Sequence, residues 1–337
     1  MAFPLTKPLG RVLLAVAVLI VIVVGWFLLQ VDPIFAGTGK EVIVTVHPGD
    51  SFATIAGELH QKGVIASPFA LRLDSLVFGE PTVRVGSYEL RQGSSFAHVK
   101  AILGNTPNVE TVDVAPGLTI KEVAFLVNGA KGVRYADRFA HDVADDVTPS
   151  PFAKGHSLEG LIGAKTYLIT SSTTPEVLAR EMVENFDKEA SSVGLSTTTS
   201  VNGLDAYQLI TAASIVQKEA YYQRYMGKVA RVIFNRLARG GPLQMDSTVL
   251  YYVGQDGGTV TPAMLQINTP YNTYLYPGLT PTPICTVSKA ALEGVLHAPL
   301  GPWLYFDTVT PQGKTLFAST FAQQLKNEKI AKKNGMP

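Results

Sequence analysis

The sequence predicts an α+β protein made of a single N-terminal transmembrane helix, a small βααβ module and a larger mixed α+β domain. An uncharged apolar run fills residues 12–29, and two alternating, strand-like segments near the start of the chain enclose two short helical patterns. Farther along, long helical patterns alternate with short strand-like ones. At 337 residues, 46% of them hydrophobic and 16% charged, the chain has room for two or three domains.

We place the boundaries between these parts where the composition changes. The predicted parts are a cytoplasmic tail at residues 1–11, a transmembrane anchor at 12–30, a linker at 31–40, the βααβ module at 41–106 and the mixed domain at 107–337, with its core at 155–325.

The anchor is predicted from length and charge. Val12–Leu29 contains 18 residues and no charge, and at ~1.5 Å rise per residue it covers roughly 27 Å, close to the hydrocarbon core of a bilayer. Lys7 and Arg11 precede the run, so the positive-inside rule places the N-terminus in the cytoplasm and the rest of the chain outside. A cleaved signal peptide is the alternative, with Ile34–Ala36 as a poor cleavage site and an apolar core longer than the usual ~7–15 residues.

The module is predicted from two strands around two small helices. Glu41–Val46 and Val83–Leu90 alternate like strands, Ser51 caps the first helix, a second helix follows from Ser67, and Phe96–Leu103 forms a closing helix.

The mixed domain begins with a strand and a helix and ends with a strand pair. The predicted elements are a strand at Val109–Val114, helices at Ile120–Val127, from Pro175, through Arg236 and at Ser288–His297, and late strands at Trp303–Phe306 and Thr315–Phe317. The polar stretch Asp137–Lys154 gives no clear pattern, and the lysines from Lys326 predict a solvated helix face and tail.

One helix of this domain carries a carboxylate near an apolar face. Asp205 opens it, and the apolar positions with helical spacing are Leu209, Ala212, Ala213 and Val216. Glu219 falls near that face, where ionisation is costly and the pKa should rise. A carboxylic acid that stays protonated near neutral pH suits a general acid. Periodicity alone favours the ordinary alternative, a solvated glutamate or one paired to Lys218 or Arg224.

Several function classes lack support. A formal net charge of +1 and the absence of a basic stripe argue against nucleic acid. None of the six histidines has ligand spacing to another, so we predict no metal site, and no nucleotide or cofactor fingerprint is present. The single cysteine, Cys285, excludes an intrachain disulfide and is expected to be a small buried or loop residue.

Several motifs in the same order resemble the YceG-like family. They are Ser157–Gly160, Ala213–Glu219, Val232–Leu237, Leu243–Val249, Pro270–Tyr274 and Leu304–Phe306. The resemblance implies a LysM-like module at 41–106, a catalytic domain at 107–337 and a single anchor in the bacterial inner membrane. Characterised members are endolytic murein transglycosylases. They cleave nascent peptidoglycan strands outside that membrane and leave 1,6-anhydro-N-acetylmuramic acid ends. Peptidoglycan synthases are candidate partners, and no cofactor is implied.

The resemblance also implies roles for individual residues. Glu219 falls at the family's catalytic glutamate, and Gln217 stands where members often carry a second glutamate. The predicted substrate-binding residues are Gln244, Asp246, Thr248, Tyr271, Asn272 and Tyr274, with Glu159 as a further candidate in the groove. Of these, the two tyrosines would stack on sugar faces. The alternative for each is a role in stabilising its own loop, and for Glu159 a helix cap or ion pair. Asn235 and Arg236 are expected to support the site or the fold.

Two departures from the family pattern fall near the predicted groove. Leu161–Tyr167 replaces an aromatic-Leu-Phe-Pro-Asp-Thr-Tyr pattern, and Cys285–Val287 replaces Asn-Pro-Gly. They leave two alternatives open beside the transglycosylase. One is a non-catalytic glycan-binding or scaffold protein of the cell-wall elongation machinery. The other is a glycoside hydrolase in which Asp246 or Glu159 holds a water.

Overall fold

The computed structural model describes residues 7–34, 36–144 and 149–336, and the contacts divide the chain into two units. Unit 1 comprises Met1–Thr111 and Leu168–Ser172, and unit 2 comprises Val112–Tyr167 and Thr173–Pro337. Most of the predicted cytoplasmic tail (residues 1–6) and Phe35 of the predicted linker and cleavage site lie outside the described residues.

Unit 1 contains the predicted βααβ arrangement, preceded by one long helix and followed by a short one. Its elements are α1 (Lys7–Val31), β1 (Glu41–Val46), α2 (Phe52–Gln61), α3 (Pro68–Phe78), β2 (Gly86–Arg91) and α4 (Phe96–Gly104). β1 and β2 pair antiparallel, with Val44 opposite Tyr88, and pack with the helices around a core that includes Leu59 and Leu71. The hydroxyl of Ser51 caps α2 as predicted, by accepting the amide of Thr54.

The second strand of this unit is shorter than predicted, because the chain before it folds back on a tyrosine. The Tyr88 hydroxyl donates to the carbonyl of Arg84 (2.9 Å) and accepts its amide (3.2 Å). Val83 to Val85 therefore lie outside the ladder, and pairing begins at Gly86.

α1 is the predicted anchor. Within the described residues, Gly10–Val31 is the one helix that is long and apolar enough to cross a membrane. Its side chains are largely exposed, except toward its end, where Phe27 and Val31 pack against the core of unit 1. This length and composition fit a single-pass anchor.

Unit 2 is mainly helical, with a β-hairpin near its end. Its helices are α5 (Ile120–Lys131), α6 (Val133–Ala144), α7 (Pro175–Ser192), α8 (Ala206–Glu219), α9 (Gln223–Ala238), α10 (Asp246–Val253), α11 (Lys289–Leu296) and α12 (Phe321–Lys333). The hairpin pairs β5 (Tyr305–Thr308) with β6 (Thr315–Ala318), and β3 (Glu110–Asp113) pairs with β4 (Thr166–Ile169) along the segments where the chain passes between the units.

The stretch without a clear sequence pattern is helical up to Ala144. α6 buries Ala136, Phe139 and Val143, which follow the three- and four-residue spacing of one helix face. Ala136 lies before Asp137, so the polar stretch taken from Asp137 onward contains only part of that face.

α8 is the central helix of unit 2. The predicted cap is present: Asp205 accepts the amide of Gln208, whose side chain accepts the amide of Asp205. The prediction of a single apolar face is too narrow, since every residue from Ala206 to Val216 except Gln208 is buried and α8 contacts α9, α10 and α11. The buried hydroxyls of Thr211 and Ser214 donate to carbonyls of the preceding turn. A well-packed helix therefore delivers Glu219 at its last residue.

Candidate active site

Glu219 lies in the wall of an open cleft of about 470 Å³. The cleft is formed by the end of α8, the start of α10 and two loops. Its other lining residues are Pro116, Gly117, Leu118, Gln217, Lys218, Asp246, Ser247, Leu250, Gln255, Asp256, Gly257 and Gly258. Among the described residues, neither Lys218 nor Arg224 is paired with Glu219. Lys218 donates to Asp256 and to the carbonyl of Gly117, and the guanidinium of Arg224 lies over the rings of Tyr222 and Tyr225.

Only one oxygen of the Glu219 carboxyl is engaged by the described residues. Oε1 accepts both the hydroxyl of Ser247 (2.7 Å) and its amide (3.2 Å). Two donors already point at Oε1, so a proton on this carboxyl resides on Oε2. The acid is thereby held in one orientation with its proton on the other oxygen.

Burial raises the pKa of Glu219, and the negative charge of Asp246 adds to the effect. The two hydrogen bonds from Ser247 and the positive charge of Arg236 act in the opposite direction, because they favour the carboxylate. Burial prevails, so the resting acid is protonated at a higher pH than an ordinary glutamic acid. The opposing groups remain in place to stabilise the anion once the proton has left.

The turn before α10 brings two distant motifs together. Gln244 has φ of 51°, a left-handed conformation that is uncommon outside glycine. Thr273 holds the turn through its carbonyl, which accepts the amide of Gln244 (2.9 Å), and its hydroxyl, which accepts the amide of Met245 (3.1 Å). Thr248 is fully buried and bonds to Thr273 (2.9 Å) and to the carbonyl of Met245. Its side chain supports the turn and does not reach the cleft.

Asp246 and Tyr274 meet beside Glu219. The Tyr274 hydroxyl donates to Asp246 Oδ1 (2.5 Å). Burial is the main reason why the pKa of Tyr274 is raised, and this hydrogen bond raises it further. Both side chains line a second cavity of about 280 Å³ together with Glu219, Arg236 and Gln244. The structure therefore gathers four predicted site residues, Glu219, Gln244, Asp246 and Tyr274, around one point.

Arg236 and its neighbour Asn235 hold the walls of this second cavity. Arg236 donates to the carbonyls of Leu243 and Leu304. Asn235 donates to the carbonyls of Gly301 (2.9 Å) and Trp303 (2.8 Å). Both motif residues therefore fix the segments that carry Gln244 and the hairpin, as the expected supporting role requires.

Asn272 is placed in the interior, although it was predicted to bind substrate. It is fully buried, donates to the carbonyls of Leu265 and Ile267, and accepts the amide of Tyr274 (3.1 Å). The side chain thus shapes the loop that presents Tyr271 and Tyr274.

Glu159 and Tyr271 lie at a third cavity, of about 530 Å³, that shares Lys218, Gln255 and Asp256 with the cleft of Glu219. Glu159 is 8% exposed. Its Oε1 accepts the amide of Ile120 (3.0 Å) and its Oε2 the hydroxyl of Tyr251 (3.2 Å). Burial raises the pKa of Glu159 to about 7.

Aromatic rings line this third cavity. The Tyr271 ring packs against Tyr251 and, nearly parallel, against Tyr252, with ring centroids 5.2 and 6.3 Å away. Phe125 is also part of the wall and is 74% exposed. Apolar ring faces beside polar groups suit a pyranose, which has both apolar faces and hydroxyl edges.

The sequence pattern missed Ser247 and Tyr251. Ser247 lies between the two motif positions Asp246 and Thr248, and its bond to Glu219 depends on a contact across 28 residues of chain. Tyr251 lies one helical turn beyond Ser247, on α10. Because α10 begins within the Leu243–Val249 motif, its next turn could have been examined for further site residues.

The departures from the family pattern are packed inside unit 2. Cys285 is fully buried, as predicted for a lone cysteine, and donates to the carbonyl of Ser214 (3.3 Å) on α8. The neighbouring Ile284 amide donates to the Ser214 hydroxyl (2.9 Å). In the other departure Leu161, Ile162 and Tyr167 are fully buried, and the Tyr167 hydroxyl donates to the carbonyl of Gly163 (2.7 Å). Both departures therefore bear on packing behind the groove.

Comparison with known proteins finds YceG-like proteins and endolytic murein transglycosylases. The model of the YceG-like family matches residues 44–330. An endolytic murein transglycosylase of Bacillus subtilis (strain 168) is 27% identical over 325 residues, which cover 90% of this chain and 89% of the relative. One of Streptococcus pneumoniae (strain R6) is 28% identical over 319 residues, covering 85% of this chain and 58% of the relative. A 2.6 Å crystal structure of a putative YceG-like protein from Listeria monocytogenes shares the fold with a TM-score of 0.57 and 24% identity, covering 86% of this chain and 99% of that one.

Proposed function

The chain belongs to the YceG-like family, and from this membership and the surroundings of Glu219 we propose that it is an endolytic peptidoglycan lytic transglycosylase. It acts on nascent glycan strands, cleaves the bond between N-acetylmuramic acid and N-acetylglucosamine, and leaves 1,6-anhydro-N-acetylmuramic acid ends. The relatives named as murein transglycosylases support the substrate class. The observation that carries the mechanism is a partly buried acid that the described residues hold through Oε1 alone.

Glu219 performs both proton transfers. Protonated Oε2 donates its proton to the glycosidic oxygen as the bond from that oxygen to C1 of the muramic acid sugar breaks. The 6-hydroxyl oxygen of the same sugar then bonds to C1, and its proton returns to the Glu219 carboxylate. The acid ends the cycle as it began, and no water is consumed. One carboxyl therefore suffices, whereas ordinary glycosidases need two.

The surroundings of Glu219 suit both of its charge states. Burial and Asp246 keep the resting acid protonated, and Ser247 and Arg236 stabilise the carboxylate that exists between the two transfers. The Asp246 side chain is exposed beside Glu219, where its negative charge favours the positive charge that develops at C1. Tyr274 fixes the orientation of Asp246 through their hydrogen bond.

Cavities on two sides of Glu219 support cleavage within a strand. The cavity with Gln244, Arg236 and Tyr274 adjoins the acid on one side, since both Glu219 and Asp246 line it and the central cleft. On the other side the cleft continues into the aromatic cavity of Tyr271 and Glu159 through shared lining residues. Sugars on both sides of the scissile bond therefore have room, which an endolytic enzyme requires.

We assign the remaining predicted residues by their exposure. Gln244 and Asp246 contact the sugar at the cleavage point, and Tyr271 stacks on a sugar farther along the groove. Thr248 and Asn272 position these residues from beneath. α1 anchors the protein in the bacterial inner membrane, with the N-terminus in the cytoplasm and both units outside. Peptidoglycan synthases, which supply nascent strands, are the proposed partners.

The test is product analysis with uncrosslinked glycan strands. The full chain, in detergent, is incubated with strands of defined length and the products are weighed by mass spectrometry. Internal fragments with anhydro ends are expected. Reducing ends would identify a hydrolase, and intact strands would identify a binding or scaffold protein, so either result would overturn the proposal.

A further inference from the structure

α3 presents an apolar face to the outside of unit 1. Phe69, Leu73, Leu76 and Val77 follow helical spacing, and they are 68%, 40%, 84% and 69% exposed, respectively. The buried positions of this helix are Ala70, Leu71, Asp74 and Ser75, so its exposed face is more apolar than its buried face. An amphipathic helix on a globular surface normally exposes its polar face, so this α3 apolar face (Phe69, Leu73, Leu76 and Val77) needs a covering phase or partner.

The α3 apolar face also borders a groove. Phe69, Leu73 and Leu76 line a cavity of about 440 Å³ together with Ser51, Phe52 and Ala53 at the start of α2. Arg72 lies at the same groove and is exposed. An arginine beside an apolar face can keep its guanidinium at a polar boundary while its carbon stem lies along apolar surface.

The helix lies next to the end of the anchor. α1 contacts α3, and the side chains of α1 that pack against the unit 1 core are Phe27 and Val31, at its last turn. The apolar span Gly10–Val31 is roughly 33 Å long at ~1.5 Å per residue, against about 30 Å for a hydrocarbon core. Val31 therefore lies at the outer boundary of that core if α1 spans the bilayer.

From these contacts we infer that the α3 apolar face is inserted into the outer interface of the membrane that α1 spans. An interfacial helix of this kind buries its apolar side chains about 5–10 Å into the boundary between headgroups and acyl chains. The bilayer is the apolar phase nearest to α3, because α3 packs on the helix that leaves it. The chain thus contacts the membrane at two points, which fixes unit 1 on the lipid surface. This inference rests on the membrane anchoring within the proposed function.

Single labelled positions in the full chain test the inference. The protein carries an environment-sensitive fluorophore on Leu76→Cys or on Val21→Cys in α1, in nanodiscs of zwitterionic and anionic phospholipid with one chain per disc. Cys285 is fully buried, so it does not compete for the label. Lipids spin-labelled near the headgroup or deep in the acyl chain serve as quenchers. Two controls are Gln61→Cys, at a polar exposed position of α2, and the Leu76 label in a Phe69→Asn, Leu73→Asn background.

The expected result is loss of Leu76 fluorescence with the shallow quencher and of Val21 fluorescence with the deep one. Quenching at Gln61 should be weak, and the two asparagines should reduce quenching at Leu76. Quenching at Val21 without quenching at Leu76 would overturn the inference and leave the anchor intact. A blue-shifted but unquenched Leu76 label would also overturn it, because the face would then be covered by protein. Absence of quenching at Val21 would contradict both the membrane anchoring by α1 and the inference that rests on it.

Discussion

The substitution Glu219→Gln removes the titrating proton and leaves the shape of the site nearly unchanged. The amide oxygen of glutamine can still accept both hydrogen bonds from Ser247, so the orientation of the side chain is kept. The variant cannot release and recover a proton, and both transfers fail. General acid–base catalysis contributes roughly 100- to 10,000-fold to rate, or about 3–5 kcal/mol of transition-state stabilisation. We expect a loss of activity at the upper end of that range.

The assay is the initial rate of strand cleavage by the full chain in detergent, with thermal unfolding measured on the same samples. The variant should be at least as stable as the wild type at neutral pH, because the raised pKa of Glu219 means that ionisation in the folded state is unfavourable. A Gln217→Glu substitution in the Glu219→Gln background is the matched control. Gln217 accepts the amide of Ser288 (3.1 Å) at the start of α11, so an acid there should not restore activity. Cleavage by Glu219→Gln within tenfold of the wild type would refute the assignment.

Three further predictions concern the groups around the acid. Asp246→Asn removes a charge that raises the pKa of Glu219, whereas Ser247→Ala removes hydrogen bonds that lower it. The alkaline limb of the pH–rate profile should therefore move to lower pH in the first variant and to higher pH in the second, and equal shifts in one direction would contradict this. Glu159 has a pKa of about 7 against an ordinary value of 4.5, so the unfolded chain loses this proton first and stability falls as pH rises from about 4.5 to about 7, by about 3 kcal/mol. Unfolding by urea across this range should show a flatter dependence for Glu159→Gln, and an unchanged slope would count against the buried acid. Asn272→Ala leaves two carbonyls and the Tyr274 amide without partners, which should cost about 2–5 kcal/mol of unfolding free energy and lower the cleavage rate as well. A fully stable Asn272→Ala protein would contradict the positioning role.

Local chemistry made much of the fold predictable. The capping serine of α2, the capping box at Asp205 and the apolar run of α1 act over a few residues, and each is present. The failures have local causes as well. The polar stretch from Asp137 contains only part of the apolar face of α6, because Ala136 lies before it, and β2 is shortened by a tyrosine that bonds back to Arg84. The alternating pattern of Val83–Leu90 does not reveal this bond.

The candidate site was predictable only through motifs, because its contacts are long-range. Glu219 and Ser247 are separated by 28 residues, as are Asp246 and Tyr274. Their meeting depends on the left-handed turn at Gln244 and on Thr273. Sequence motifs brought these segments into consideration together, but they did not separate side chains in the cleft from those beneath it. Thr248 and Asn272 illustrate this limit, since their full burial follows from packing.

The central claim is that the sugar's own 6-hydroxyl, and not water, attacks C1. Isotope labelling tests this claim most directly. Cleavage of uncrosslinked strands by the full chain is run in ¹⁸O-labelled water, and the new ends are analysed by mass spectrometry at early times. The account predicts anhydro ends, each lighter by one water than a hydrolysed end, with no heavy oxygen incorporated. New ends that carry ¹⁸O at C1 would show that water is the attacking group and would contradict the account.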